Sequence, residues 1–199
     1  MGTDICTHIK GRDDIEIVPI VRNILGAAYL EDRGFQCRIA DVGEYQEARQ
    51  AISDLDCVVV ASHVFAPGPG AMAANRRIVC NAVRAAKPSA VVIYFSSVRA
   101  LAWRVDRATK RFAIPGNYGR SKRRLERILW QEGKRAGKKT IALRLGHVLG
   151  PNQTREQLFV DTCKEFSTVR LPTEPTDLSN VVHIVTIADC IERCATGNV

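Results

Sequence analysis

Long apolar runs are missing from this 199-residue sequence. No stretch approaches the roughly 18 consecutive apolar residues that a bilayer-crossing helix takes, so no membrane span is expected. The opening MGTDICTHIKGRDD lacks the apolar core of a secretory signal. Met1-Gly2 is a poor acylation start too, because Cys6 stands where Ser or Thr is wanted. The seven cysteines are odd in number and irregularly spaced. A disulfide framework is therefore not expected, and a reducing cytoplasm is the natural setting. Cys190 and Cys194 stand four apart with no second pair, which predicts small residues on a helix face and no metal site. Repeats, low-complexity runs and linker-like segments are also missing.

Acids are scarce in one place. Between Arg99 and Lys139, 14 Lys and Arg meet three acids, Asp106, Glu126 and Glu132. The remainder holds 15 basic and 18 acidic residues, so the formal charge of +8 resides in this one stretch. Its aromatic residues include only Trp103, Phe112 and Trp130 as stacking candidates, and no nucleic-acid module is recognisable. A solvated helix face is the first expectation for it. Phosphate on a small ligand comes second, and nucleic acid, third, is not expected as a partner.

What is present suits one α/β domain with a sizeable core, given 46% hydrophobic and 25% charged residues. Strands are predicted over Ile15–Val21, Gln36–Ala40, Cys57–Ala61, Ala90–Phe95, Thr140–Leu145 and Val181–Val185. Helices are predicted over Ile24–Arg33, Glu44–Ile52, Ala71–Ala86, Tyr118–Arg135, Arg155–Phe166 and Ile187–Arg193. This alternation predicts a mainly parallel sheet covered on both faces. Ligands of such sheets sit where loops leave the carboxyl ends of strands. The longer loops are Val64–Gly70, Val98–Asn117 and Leu171–Asn180.

Ser96-Ser97 ends the strand AVVIYF, and Tyr118-Gly-Arg-Ser-Lys122 opens the long charged helix. Residues four apart share a helix face, so Tyr118 and Lys122 stand together. A phenol titrates near pH 10 in water, too high for a general base. A neighbouring ammonium favours the phenolate, and a Ser hydroxyl can hold a substrate oxygen while the phenol moves a proton. Such a set can take a proton from an alcohol as hydride leaves its carbon.

These segments, in order, resemble the short-chain dehydrogenase/reductase superfamily in its extended branch of NAD-dependent epimerases and dehydratases. DLDCVVVASH is similar to the family's fourth strand, and Asn75 in ANRRIVCNAVRAAK to an Asn that starts the next helix. VVIYFSSV, NYGRSKRRLERIL, IALRLGHVLGP and SNVVHIVTIADCI are similar to the fifth strand, the tyrosine helix, the sixth strand and a later strand and helix. The resemblance runs from about Ile15 to Cys194. It implies a Rossmann-like, doubly wound fold in which Ser97 polarises a substrate oxygen, Tyr118 is the acid/base, and Lys122 tunes Tyr118 and holds the nicotinamide ribose. It further implies that Asp41 and Val42 lie beside adenine, that Ala61, Ser62 and His63 line the cofactor, and that Gly146 and His147 border the nicotinamide or substrate. Arg22 falls where the adenosine ribose is read, and a cation there suits a 2′-phosphate, favouring NADP over NAD. His183 is expected to be structural.

The family's first strand and Gly-rich turn have no counterpart in MGTDICTHIKGRDD, where residues 1–11 align with the first helix. That strand lies mid-sheet in the family, so two unpaired edges are expected. Three repairs are open: a substitute strand over Ile5–Ile9 turning at Gly11, a partner chain or second copy completing the sheet, or further sequence upstream. Residues 1–199 are taken as one Rossmann-like domain, with 151–199 a remnant of the substrate-binding lobe. Leu101-Ala102, His147 and Val185-Thr186 also depart from the family's usual Tyr-Gly, Asn and Asp pair. Two functional classes follow: an NAD(P)-dependent enzyme acting on a secondary alcohol or carbonyl of a small molecule, such as a nucleotide sugar, or a non-catalytic interaction or regulatory module.

Overall fold

The structure is a computed structural model and describes residues 1–12, 15–65, 69–101, 104–105, 112–113, 116–151, 164 and 181–197. Five parallel strands carry the candidate site. β1 (Ile20–Val21) pairs with β2 (Arg38–Ile39), while β3 (Cys57–Val60) pairs with β4 (Val91–Ser97) and β4 with β7 (Lys139–Leu145). Between β4 and β7, the two short strands β5 (Arg104–Val105) and β6 (Phe112–Ala113) form an antiparallel pair. Beyond β7, β8 (His147–Leu149) pairs in parallel with β9 (Val181–His183).

Helices cover both faces because side chains of the buried strands alternate in direction. Val58, Val60, Val92 and Tyr94 meet α3 (Tyr45–Ile52), α4 (Pro69–Ala85) and α5 (Asn117–Ala136) through Ala48, Ile52, Val79, Val83, Leu125 and Leu129. Ile93 and Phe95 point the other way, to α1 (Gly2–Ile9) and α6 (Ile184–Thr196), through Ile5, Ile9, Ile187 and Ile191. The remaining helix, α2 (Ile24–Glu31), follows β1 and is capped by Asn23, whose Oδ1 accepts the Gly26 amide hydrogen at 2.9 Å.

The long helix α5 ends at Gly137, whose left-handed φ of 62° closes it. Within α5, Gly133 lets the helix approach β7 closely: a Cβ there would stand 2.5 Å from Thr140 Cγ2. Beneath α4, the Lys138 ammonium donates to the carbonyls of Val83 (2.8 Å), Arg84 (3.2 Å) and Ala86, satisfying orphan acceptors at the helix end.

The expected substitute strand over Ile5–Ile9 is a helix. Ile5 and Ile9, four apart, both bury against the α6 side of the core, and this helical spacing outweighs any strand pattern. Gly11 does turn the chain, at φ 88°, and Arg12 then ties α1 to α6 through Asp189 (2.8 Å) and Glu192. Paired strand over Ile15–Val21 shrinks to Ile20–Val21 and over Gln36–Ala40 to Arg38–Ile39. Among the described residues β1 has only β2 as a hydrogen-bonded neighbour and β3 only β4, so each keeps a free edge. The helix expected from Ile187 begins at Ile184, and His183 caps it by accepting the Val185 amide hydrogen at 3.3 Å. Cys190 and Cys194 lie on α6, with Cys194 buried. Of the helix expected over Arg155–Phe166 only Lys164, which is helical, is described. Most of residues 151–199 before β9 lies outside the described residues. No helix among the described residues is long and apolar enough to cross a membrane.

Candidate active site

Most expected site residues lie just past the carboxyl end of a strand or on α5, while His147 opens β8. Ser97 is the last residue of β4, and its Oγ accepts the Arg99 amide hydrogen at 3.2 Å to start a 3₁₀ turn over Val98–Ala100. That turn packs on α5 and sets Ser97 beside the helix that carries Tyr118 and Lys122. Lys122 is buried, and its Nζ donates to the Phe95 carbonyl at 2.8 Å, two residues before Ser97. The ammonium also lies 4.8 Å from the Tyr94 ring centroid and 5.8 Å from that of Tyr118. Burial pulls the Lys122 pKa down to about 8, with the Glu126 charge opposing. Tyr118 keeps 37% of its surface exposed.

His63 joins this group from the segment after β3. Its ring meets Tyr118 edge-on at 5.7 Å and Phe65 at 4.8 Å, while Phe65 stacks on Tyr118 at 6.1 Å. Burial, and then the Lys122 charge, lower the His63 pKa to about 4, so the imidazole is neutral at physiological pH. Its Nδ1 is buried with no hydrogen-bond partner among the described residues. Ala61 packs against the α6-side core and Ser62 is exposed.

The other expected residues lie farther along the same edge. Arg22 is exposed just past β1. The Asp41 carboxylate, beyond β2, accepts the Gly43 amide hydrogen at 2.8 Å, and Val42 packs on the core of α3 and α4. Gly146 links β7 to β8, and His147 is an exposed residue of β8. Helix α4, packed on both α3 and α5, bridges part of the distance between these residues and the Ser97–Tyr118–Lys122 group.

That bridge uses two buried asparagines. Asn75 accepts the Val64 amide hydrogen and donates to the Val64 and Ala71 carbonyls, all at 2.9 Å. It lies inside α4, not at its start as the resemblance implies, and it fixes the segment bearing His63 and Phe65. Asn81 donates to the carbonyls of Val42 (3.0 Å) and Gly43 (2.8 Å).

Three further residues are not evident from the sequence pattern. Glu126 is 0% exposed, and its Oε1 accepts hydrogen bonds from Ser96 Oγ (2.5 Å) and Arg144 Nε (2.9 Å). Its Oε2 accepts one from Arg144 Nη2 at 2.7 Å. Burial works to raise the Glu126 pKa, but these bonds with the Arg144 and Arg123 charges outweigh it and hold the carboxyl below its ordinary value. Tyr94, beneath Lys122, is buried with its hydroxyl unpartnered among the described residues, and burial pushes its phenol far up in pKa. The one available signal for Glu126 is its four-residue step beyond Lys122, on the face that also buries Leu125 and Leu129.

A parallel sheet wound on both faces, with its candidate site at the strand carboxyl ends, defines a Rossmann-like α/β protein. Residues 1–194 match the sequence profile of the NAD dependent epimerase/dehydratase family, and the chain belongs to that family. Solved structures that share the fold include a UDP-N-acetylglucosamine 4-epimerase from Bacillus cereus, with a TM-score of 0.73 at 18% identity over 98% of this chain and 68% of that one. A dTDP-glucose 4,6-dehydratase from Bacillus anthracis in complex with NAD has a TM-score of 0.73 at 13% identity, over 96% of this chain and 67% of that one. A UDP-glucose 4-epimerase from Thermotoga maritima with UDP-glucose has 0.72 at 12% identity, over 96% and 68%. The chain thus spans about two thirds of the length of these structures. No curated protein matches it in sequence.

Proposed function

We propose that this chain binds a nicotinamide dinucleotide along the carboxyl ends of β1 to β4 and interconverts a secondary alcohol and a carbonyl on a small molecule. A nucleotide sugar is the favoured substrate class, because structurally similar proteins act on UDP- and dTDP-sugars. The observation that carries this proposal is the Lys122 hydrogen bond to the Phe95 carbonyl, which draws the ammonium to the strand end that bears Ser97, one turn from Tyr118.

The residues present suit the ribose and nicotinamide ends of such a cofactor. His63 keeps an unpartnered buried nitrogen among the described residues, Tyr118 is part exposed, and exposed Arg22 and half-buried Asp41 follow the strands expected to meet adenosine. Arg22 favours NADP. Ala61 and Ser62, with Gly146 and His147, would complete the walls, and Val42 would lie against adenine. Among the described residues there is no Gly-rich turn to cradle a pyrophosphate. A bound nicotinamide would supply hydride acceptance and donation. Ser97 Oγ–H would hold the substrate oxygen, Tyr118 Oη would take or return its proton, and the Lys122 ammonium would favour the phenolate. A cytoplasmic setting belongs to the same proposal.

The free edges of β1 and β3 favour a second reading, a non-catalytic module whose sheet a partner chain or second copy completes. The two separate in one assay. The purified 199-residue chain is given NAD or NADP with UDP- and dTDP-hexoses, and sugar products and reduced nicotinamide absorbance are followed. Turnover in the wild type that Tyr118→Phe abolishes supports the enzyme. Dinucleotide-dependent chemistry unaffected by Tyr118→Phe, or none at all, contradicts it.

A further inference from the structure

Glu126 combines features that stability alone does not call for. A fully buried carboxylate bears a desolvation cost that its partner only roughly repays, and apolar residues of similar volume often do as well. Here both hydrogen-bonding partners of that carboxylate among the described residues, Ser96 and Arg144, lie near the carboxyl ends of their strands. Ser96 precedes Ser97 in β4, and the β4–β7 register sets Ser96 opposite Arg144, so one carboxylate ties two strands and α5 together at one level. Along α5 the residues Tyr118, Lys122 and Glu126 follow at four-residue steps on one face.

Resting on the function proposed above, we propose that Glu126 is a positioning residue: clamped by Ser96 and Arg144, its carboxylate fixes the charge and the aim of Lys122 towards Tyr118 and Ser97. It acts through Lys122 and touches neither substrate nor cofactor. The groups around the ammonium leave Glu126 in that role. From α5 come Tyr118 and Glu126; from β4 comes Tyr94, held neutral by burial. His63, after β3, is neutral at physiological pH. Arg144 of β7 is engaged by Glu126, Arg99 of the 3₁₀ turn is exposed, and Arg84 of α4 is tied to Glu132 at 2.8 Å. Among the described residues, Glu126 is the carboxylate whose charge bears on Lys122 and opposes the effect of its burial.

The test follows the Lys122 side chain directly. In protein labelled with ¹³C-lysine, the Lys122 Cε resonance is identified by its loss in Lys122→Arg and titrated against pH. Glu126→Gln removes the charge and keeps the shape, and a second variant, Glu126→Leu with Arg144→Met, replaces the whole pair by apolar packing. Both are expected to move the Lys122 midpoint down by about one pH unit, a tenfold rise in the ratio of neutral amine to ammonium at a given pH. Glu126→Asp, which retains the charge, should hold the midpoint near the wild-type value. An unchanged midpoint in either folded charge-free variant, judged by circular dichroism, overturns the proposal. Dinucleotide binding is measured separately by calorimetry on the wild type. A Lys122 midpoint that follows Glu126 in a chain that binds no dinucleotide supports the positioning role and refutes the proposed function.

Discussion

The Nζ of Lys122 donates a 2.8 Å hydrogen bond to the Phe95 carbonyl, so a buried cation of the tyrosine helix is fastened to the strand that ends at Ser97. This bond holds the ammonium in a buried place, and burial lowers its pKa to about 8.

Stability should therefore depend on pH through Lys122. Its folded pKa, about 8, lies below the ordinary lysine value of 10.5, so between them the unfolded chain binds more protons. Raising pH through that window relieves the cost, and the lysine's contribution to stability rises by about 3 kcal/mol. Thiols work the other way. Burial raises Cys6 and Cys57 to about 11, which favours unfolding as pH climbs above 9. Denaturant unfolding of wild type and Lys122→Met at pH 7 and pH 10 isolates the lysine, and their stability difference should move in favour of the wild type at the higher pH.

His63 gives the acid-side counterpart. Its pKa near 4 means that the unfolded chain takes up its proton first as pH falls below 6.5, so stability is lost between pH 6.5 and 4. The imidazole C2–H resonance should stay at its neutral position down to about pH 5. His63→Phe should flatten that part of the acid unfolding profile.

Asn75→Leu strips the Val64 backbone of both its partners. Leaving those groups unsatisfied should cost about 1–3 kcal/mol each where water stays out. Faster amide exchange at Val64 and weaker packing of Phe65 on Tyr118, read from ring-proton shifts, are the expected signs.

Gly133→Ala opposes helix propensity to packing. Alanine favours a helix by about 1 kcal/mol over glycine, but its Cβ would meet Thr140 Cγ2 at 2.5 Å and Cβ at 3.2 Å. Overpacking of this kind costs about 1–3 kcal/mol. Net destabilisation is expected in chemical denaturation, and adding Thr140→Ala should restore the wild-type midpoint or exceed it.

The sequence shows the sheet's centre and the tyrosine helix because their signals are local. CVVV and VVIYFSS are apolar runs fit for a buried parallel sheet, and Tyr118 and Lys122 are separated by one helical turn. Residues 1–21 are less legible, since Ile5 and Ile9 suit a short strand or one helix face until α6 is there to cover them. Glu126 is invisible for a related reason. In a run rich in arginine it looks like a solvated acid, and its burial depends on Ser96 and Arg144, 30 and 18 residues away. Asn75 likewise looks like a helix-start residue until Val64 folds back on it. The expected site residues split in the same way: the Tyr118–Lys122 pair follows from spacing, whereas the nearness of His63 to Tyr118 needs the crossover from β3 into α4.

We propose that the strand ends and the Tyr118–Lys122 face form a nicotinamide dinucleotide site. Isothermal titration of the 199-residue wild type and Lys122→Met with NAD and NADP tests it. Saturable binding of one dinucleotide in the wild type, weakened about tenfold or more by Lys122→Met, is the expected result, with NADP the tighter ligand if Arg22 meets its 2′-phosphate. No heat of binding at millimolar dinucleotide, or affinity indifferent to Lys122, would contradict it.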